Sequence, residues 1–228
     1  MNWKKKLATY ASLTVLATFI IHIINKLIYF MSTIDNLLGR KEGLYYEWRF
    51  GKIFYTKEGT GKPILLIHDL SACSSEYEWN RIVSDLSKKN TVYTLDLLGC
   101  GKSDKPNFTY TNFLYVQLVT DFINNVIGEK ADVIVTGNSC SFVLMACHNN
   151  DEIIDRILLI NPPSISSISK VPTKRTKMLK FIINIPFIGT LLFNLLHSKD
   201  SIEQTFMTEY FYNPVSYTHL RAHETELH

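Results

Sequence analysis

The sequence predicts an α/β protein with a mostly parallel sheet that is covered by helices on both faces. Short apolar runs at residues 64–68, 91–96, 132–136 and 153–160 alternate with longer segments of helical character. Apolar runs without a polar face are typical of parallel strands that are buried on both sides. The chain is 46% hydrophobic and 20% charged, which is enough apolar material for a packed core and argues against a disordered chain. A helical lid and an N-terminal transmembrane helix complete the predicted architecture.

The composition excludes several classes of function. The formal net charge is only +3, and the basic residues are scattered rather than clustered with aromatic side chains, so no nucleic-acid partner is expected. The four cysteines show no paired C-x-x-C spacing, so no structural metal site is expected. No cofactor is expected either. A single long apolar run argues against a membrane protein with several spans.

The first segment, residues 1–34, is predicted to be a membrane anchor. Residues 7–30 form an apolar run that would measure about 36 Å as a helix at about 1.5 Å per residue, enough to cross a hydrocarbon core of about 30 Å with some tilt. His22, Asn25 and Lys26 lie near its far end, where they can reach the headgroups. A cleaved signal peptide and an amphipathic core helix are the alternatives, but no A-x-A cleavage site follows the run. We therefore expect an uncleaved, single-pass anchor in contact with the lipid bilayer.

The flanking charges give a weak prediction of orientation. Three lysines at residues 4–6 precede the span, whereas Lys26, Arg40 and Lys41 follow it. Because basic residues favour the inner side of a membrane, the tight cluster before the span favours an inner N-terminus and an outer main domain.

The central region, residues 40–163, is expected to be the α/β core. Residues 44–50 and 52–57 alternate in polarity around Gly51 and predict a β-hairpin. The four apolar strands follow, and the segments predicted to be helical are residues 75–87, 110–127 and 139–149.

Residues 164–213 break the alternation of strands and helices, and we interpret them as a helical lid over a site. Their first part is basic, with Lys170, Lys174, Arg175, Lys177 and Lys180. Lys180, Asn184 and Pro186 argue against a second span, since charged, polar and helix-breaking residues are unfavourable in lipid. The basic cluster is either a solvated face or a surface that touches anionic headgroups.

The last segment, residues 214–228, is expected to be an artefact. From Val215 onwards it resembles the translated end of a transposase-type sequencing-library adapter. The natural chain is then cut short near Pro214, and the three histidines of the tail are not candidates for catalysis. We expect the chain as given to be inactive and poorly folded.

A possible nucleophile lies between the third apolar strand and the following helix. The segment is Thr136, Gly137, Asn138, Ser139, Cys140, Ser141. Small residues on both sides of Ser139 allow a sharp turn that presents the serine at the edge of the sheet. This segment resembles the G-x-S-x-G elbow of the α/β-hydrolase family, with Ser141 in place of the second glycine. Alone, such a string is more often an ordinary turn.

Two further stretches strengthen the resemblance. His68, Asp69 and Leu70 end the first apolar strand, in the manner of the family's His-Gly segment, with Asp69 where the family usually has glycine. Residues 96–103 resemble the family's D-x-x-G-x-G-x-S loop. A phosphate-binding loop is the alternative for that stretch, but it lacks a third glycine and opens no helix. With three motifs in the family's order over roughly residues 45–163, the chain is identified as a member of the α/β-hydrolase family.

The resemblance implies roles for individual residues. Ser139 is the implied nucleophile, and the backbone N–H groups of Leu70 and Cys140 are the implied oxyanion hole. In the family the acid and the histidine follow later in the chain, so no residue here is assigned to either role. His68 is expected to be structural, and His148 to face solvent or to pack. The Cys140 side chain is expected to be a packing residue, with a competing thiol role as the alternative.

The resulting functional hypothesis is a membrane-anchored serine hydrolase that forms an acyl-serine intermediate. Its substrate would be a small ester, amide or thioester, and the apolar lid favours a lipophilic one. The first alternative is a non-catalytic binding or scaffold module with the same fold, which Asp69 and Ser141 favour. The second is a related acyltransferase or lyase that uses the same elbow.

Overall fold

The computed structural model describes residues 3–33, 42–71, 74–168 and 173–196. The chain divides into two compact units. One unit comprises Met1–Arg40 with Val171–His228, and the other comprises Lys41–Lys170. The predicted artefact at residues 214–228 and the end of the predicted lid, residues 197–213, lie outside the described residues.

The Lys41–Lys170 unit is built on a six-stranded sheet. Its strands are β1 (Leu44–Trp48), β2 (Gly51–Glu58), β3 (Lys62–Ile67), β4 (Asn90–Leu95), β5 (Ala131–Thr136) and β6 (Ile154–Ile160). The order across the sheet is β1-β2-β4-β3-β5-β6. β1 and β2 form an antiparallel hairpin and β2 pairs antiparallel with β4, whereas β4, β3, β5 and β6 are mutually parallel. The predicted mostly parallel sheet is confirmed.

The helices of this unit are α2 (Asn80–Leu86), α3 (Asn112–Phe122), α4 (Cys140–Asn149) and the short α5 (Ile165–Ile168). A 3₁₀ turn, Glu76–Trp79, precedes α2, and a π turn, Ile123–Ile127, continues α3. The predicted helix at residues 110–127 begins two residues late because the Thr111 side chain accepts a hydrogen bond from the backbone N–H of Leu114 and caps the helix.

Both faces of the sheet are covered, as the sequence predicts. On β3, Leu65 and Ile67 pack in one apolar cluster with side chains from α3 and α4, whereas Ile64 and Leu66 pack in a second cluster with Trp79 and Val83. Alternate residues of a strand point to opposite faces, so the two clusters lie on opposite sides of the sheet. This explains why β3 is apolar throughout.

The other unit contains α1 (Trp3–Thr33), α6 (Lys174–Ile183) and α7 (Ile188–Leu196). Among the described residues, α1 is long and apolar enough to cross a membrane by itself. Its hydroxyl side chains bond back to the helix, as in the bonds from Thr14 Oγ1 to Tyr10 O (2.9 Å) and from Thr18 Oγ1 to Thr14 O (2.8 Å). The axes of α6 and α7 differ in direction by 108°.

Candidate active site

The candidate nucleophile lies where β5 turns into α4. The turn is a single 3₁₀ unit, Gly137–Ser139. Gly137 has φ +54°, and a Cβ atom there would lie 2.3 Å from Oδ1 of Asp69, so only glycine fits this position. Ser139 itself has φ −64° and ψ −22°, which is ordinary helical geometry. The sharp turn is therefore present, and its positive φ falls at Gly137 rather than at Ser139.

The Ser139 side chain is fully buried and its hydroxyl donates a hydrogen bond to the carbonyl of His68 at 2.7 Å. These residues are distant in sequence but follow two neighbouring strands. β3 and β5 are parallel, with Ile67 opposite Val135, so their carboxyl ends meet at one edge of the sheet. In open α/β sheets this edge is where ligands usually bind.

The Asp69 carboxylate engages one of the two N–H groups expected to form an oxyanion hole. Its Oδ1 atom accepts hydrogen bonds from the backbone N–H of Leu70 at 2.8 Å and from that of Asn138 at 2.6 Å. The Asp69 N–H group donates to Oε2 of Glu78 at 3.1 Å. Bonds from an N–H group to an ionised acceptor are among the stronger hydrogen bonds. The Leu70 donor that the sequence assigned to a substrate oxyanion therefore already has an anionic partner.

The second expected donor, the N–H of Cys140, is also engaged. It donates to the carbonyls of Gly137 and Asn138 within the turn. The Cys140 thiol is buried and lies 3.6 Å from the carbonyl of Val135, and burial raises the pKa of this thiol. A raised pKa keeps the sulfur protonated, which agrees with a packing role and gives no support to a thiolate nucleophile.

The glycine-containing loop after β4 is held together by Asp96. Its two carboxylate oxygens accept hydrogen bonds from the N–H groups of Glu76 and Lys102, each at 2.7 Å. A Cβ atom on Gly101 would lie 2.2 Å from the same carboxylate, which accounts for the glycine. The hydroxyl of Ser103 donates to the Asp96 carbonyl and accepts from the N–H of Phe54. The D-x-x-G-x-G-x-S motif thus marks a structural junction, and the role of Asp96 in it becomes visible only from the contacts of its carboxylate.

The two histidines of this unit differ in environment. His68 is fully buried, and its Nε2 accepts a hydrogen bond from the N–H of Leu97 at 3.0 Å. Its Nδ1 therefore has the proton and donates to the Asp69 carbonyl at 2.7 Å. Loss of solvation lowers the pKa of His68, so the ring is neutral and structural. His148 is exposed in the last turn of α4.

Among residues 3–33, 42–71, 74–168 and 173–196, no three histidine, cysteine or carboxylate side chains cluster in a way that would bind a metal ion.

Ser141 stands at the second small position of the turn, where the family usually has glycine. Its hydroxyl donates a hydrogen bond to the carbonyl of Asn138 at 2.9 Å, which shows how serine is accommodated there.

Comparison with known proteins gives a consistent family. Residues 64–224 match the sequence model of the alpha/beta hydrolase family. A 2-hydroxy-6-oxo-6-(2'-aminophenyl)hexa-2,4-dienoic acid hydrolase of Metapseudomonas resinovorans is 34% identical over 86 residues, which are 37% of this chain and 29% of that protein. A soluble epoxide hydrolase of Corynebacterium sp. strain C12 is 24% identical over 110 residues, which are 48% of this chain and 38% of that protein. The chain thus aligns with well under half the length of these curated relatives.

Solved structures show the same fold. The crystal structure of a haloalkane dehalogenase from Agrobacterium tumefaciens superposes with a TM-score of 0.58 at 18% identity, over 81% of this chain and 62% of that one. At this identity the likeness shows the fold alone. The matched sequence region covers more than half of the chain and includes the turn at Ser139. The chain therefore belongs to the alpha/beta hydrolase family.

Proposed function

We propose that the protein is a membrane-anchored serine hydrolase that cleaves a small ester, amide or thioester through an acyl intermediate on Ser139. One observation is the main support. The Ser139 hydroxyl lies between β5 and α4, at the carboxyl edge of the sheet, beside the loop that follows β3. Two of the relatives are hydrolases whose names give small-molecule substrates, which supports a small-molecule substrate here.

In the proposed reaction the Ser139 oxygen attacks the carbonyl carbon of the substrate while its proton passes to a general base. Collapse of the tetrahedral intermediate expels the alcohol, amine or thiol, which takes up that proton. Water then attacks the acyl-serine and releases the acid. In the family's order of serine, acid and histidine, the acid and the base follow the serine later in the chain, so no residue of this sequence is assigned to either role.

This chemistry requires the site to rearrange. The Ser139 hydroxyl must leave the carbonyl of His68, and the N–H groups of Leu70 and Cys140 must become free to bind an oxyanion. Donors that already point at the developing charge stabilise it most. The described conformation therefore represents a resting state in this proposal.

A non-catalytic hydrolase-fold module is the second candidate, and a specific observation favours it. The Asp69 carboxylate accepts from the N–H groups of Leu70 and Asn138, so a negative charge engages one of the two donors that this proposal needs for an oxyanion. A chain that had lost catalysis could keep this arrangement because it stabilises the loop.

The test is covalent labelling with a fluorophosphonate, which reacts with activated serines. In keeping with the artefact expected at residues 215–228, the protein tested follows its source gene's own sequence from residue 215 onwards. We expect labelling that is lost in Ser139→Ala and retained in Ser141→Ala, a matched control two residues away whose hydroxyl bonds the turn. Labelling that persists in Ser139→Ala would show that another residue is the nucleophile. Absence of labelling in the unsubstituted, folded protein would favour the non-catalytic module.

A further inference from the structure

One stripe of α1 is covered, although the rest of that helix is exposed. The partly or fully buried residues are Thr18, Ile21, His22, Asn25 and Ile28. Their spacing of three or four residues places them on one face of the helix. Residues 3–17 of the same helix are all exposed. α1 therefore has a contact face confined to its C-terminal half.

The partner of this face is α7 together with the corner before it. Asn25 is 8% exposed, and its Nδ2 donates to the carbonyl of Phe187 at 3.0 Å, while its Oδ1 accepts from Nδ2 of Asn194 at 3.2 Å. The His22 ring meets the Phe187 ring edge-on, with centroids 5.5 Å apart. The sequence predicts that Asn25 can reach the headgroups; in the structure its amide bonds Phe187 and Asn194 of the same unit. Asn25 lies five residues before the end of the apolar run. Its distance from that end is therefore about 8 Å along the helix axis.

The corner between α6 and α7 is tight and internally bonded. Phe187 has φ +66°, which is unusual for a bulky residue. A Cβ atom on Gly189 would lie 1.7 Å from the carbonyl oxygen of Ile183, so glycine is required there. The N–H groups of Ile188 and Gly189 donate to the carbonyls of Pro186 and Ile185, both at 2.8 Å. These bonds satisfy two backbone N–H groups of the corner, and backbone polar groups at membrane depth need such partners.

The lengths of the two helices restrict what they can do in a bilayer. α6 has 10 residues and α7 has 9. At about 1.5 Å per residue each measures roughly 14–15 Å, about half of a hydrocarbon core of about 30 Å. The pair is apolar enough in composition to count as one broken span or a re-entrant segment. With a bend of 108°, it can enter one leaflet but cannot cross both.

The chemistry of the exposed side chains matches an anionic bilayer surface. α6 presents the exposed basic residues Lys174, Arg175, Lys177 and Lys180. Residues 174–196 contain no acidic residue. The exposed apolar side chains of the two helices include Met178, Leu179, Phe181, Ile183, Ile188, Leu195 and Leu196. Basic side chains beside exposed apolar ones are typical of segments that lie in the headgroup and upper acyl region.

We propose that α6 and α7 form a second membrane element, a re-entrant helix pair that α1 holds through Asn25. In this arrangement α7 lies in the hydrocarbon beside the C-terminal half of α1, and the basic side chains of α6 lie among anionic headgroups. The inference rests on the proposed anchor, because Asn25 can hold α7 in lipid only if α1 spans the bilayer. It assigns residues 174–196 a lipid partner instead of the lid role expected from the sequence.

Cysteine labelling of the full chain in sealed vesicles that contain anionic lipid tests the proposal. Three single substitutions are compared: Leu195→Cys on α7, Leu16→Cys on the exposed part of α1, and Glu58→Cys on β2 in the other unit. A membrane-impermeant maleimide is added before or after detergent, and the labelling of the unsubstituted protein, which has four cysteines, is subtracted. We expect Glu58→Cys to be labelled in both states, and Leu195→Cys and Leu16→Cys to be labelled several-fold more after detergent.

The outcomes separate this inference from the proposed function. Labelling of Leu195→Cys in intact vesicles, with Leu16→Cys protected, would overturn the re-entrant pair and leave the anchor standing. Protection of Leu195→Cys in detergent as well would also overturn it, because protein, either a second copy or the other unit, would then cover α7. Labelling of Leu16→Cys in intact vesicles would overturn the anchor, and the inference with it. None of these results depends on hydrolase activity.

The role of Asn25 is tested in the Leu195→Cys background. Asn25→Leu removes both hydrogen bonds to the pair of helices α6 and α7. Ile24→Leu changes an exposed neighbour and serves as the matched control. We expect Asn25→Leu to raise the labelling of Leu195→Cys in intact vesicles several-fold and Ile24→Leu to leave it unchanged. Equal protection in both variants would overturn the assignment of Asn25 as the residue that holds α7.

Discussion

Asp69 is the residue on which the proposed chemistry of Ser139 depends most. A carboxylate in the position where the family usually has glycine accepts from the same N–H group, that of Leu70, that an acyl-transfer reaction would use. Two negative charges cannot share this donor, so the carboxylate opposes a developing oxyanion. The same carboxylate also bonds Asn138 and meets Gly137, which makes it part of the turn that presents Ser139.

Replacing Asp69 by glycine is therefore expected to activate Ser139. Asp69→Gly frees the N–H group of Leu70, and one oxyanion donor is typically worth a factor on the order of 10² in rate. We expect faster labelling of Ser139 by fluorophosphonate, measured as a second-order rate constant. Asp69→Asn, whose amide oxygen can still accept from Leu70 but has no charge, is the comparison, and its rate should fall between those of Asp69→Gly and the unsubstituted protein. A slower rate in a folded Asp69→Gly variant would show that the carboxylate assists the reaction.

Asp96 is expected to matter for stability rather than for chemistry. Asp96→Asn retains one oxygen for two N–H donors, so either Glu76 or Lys102 loses its acceptor in a buried site. An unpaired buried polar group costs about 1–3 kcal/mol, and we expect the free energy of unfolding to fall by about that amount. Chemical denaturation provides the measurement. Asp104→Asn, in the same loop but exposed, is the comparison; an equal loss in both variants would contradict the special role of Asp96.

At the scale of elements, ion pairs connect three of the parallel strands, β3, β5 and β6. Asp132 at the start of β5 bonds Arg156 on β6 and Lys62 at the start of β3. The bond from Arg156 holds the pKa of Asp132 below its ordinary value of 3.8; burial opposes this effect and Lys62 adds to it. Three neighbouring strands thus share one carboxylate.

The sign of the resulting pH dependence follows from linkage. Because the folded pKa of Asp132 is lowered, the folded state holds fewer protons than the unfolded state between the two pKa values. The stabilisation is complete above the unfolded value of 3.8 and is lost as the pH falls through the folded value. We expect Asp132→Asn to lower the free energy of unfolding by about 1 kcal/mol at neutral pH, since both partners are largely exposed. Thermal melts of both proteins should converge below pH 3.8, and a constant difference would contradict this prediction.

At the scale of the whole molecule, membrane attachment is expected to depend on α1. Removing residues 1–34 takes away the helix that is long enough to cross a bilayer. The re-entrant pair proposed above reaches only one leaflet and loses its contact with Asn25, so it should bind weakly by itself. After extraction of membranes with alkaline carbonate, we expect the intact protein in the pellet and the shortened protein in the supernatant. Release of the intact protein into the supernatant would mean that α1 binds only at the membrane surface.

The order of elements could be predicted from the sequence because local patterns determine it. The apolar strands around Leu65, Val92 and Val133 have the composition of strands buried on both faces, and a cap such as Thr111 refines a boundary by only two residues. The motifs at Gly137 and Asp96 likewise identified the two loops beside the site. The helix of α1 follows from its length and apolar composition.

What only the tertiary structure decided are the contacts between residues far apart in the chain. The sheet order β1-β2-β4-β3-β5-β6 brings Asp69 against Asn138 and puts the Ser139 hydroxyl on the carbonyl of His68. Likewise, Asn25 meets Phe187 only because α7 returns to α1. The physical reason is that periodicity and turn chemistry act over a few residues, whereas the partner of a hydrogen-bonding group depends on which strands and helices become neighbours. The sequence by itself therefore determined which elements form and which residues are candidates, and the packing decided that Asp69 faces the site and that Asn25 is covered.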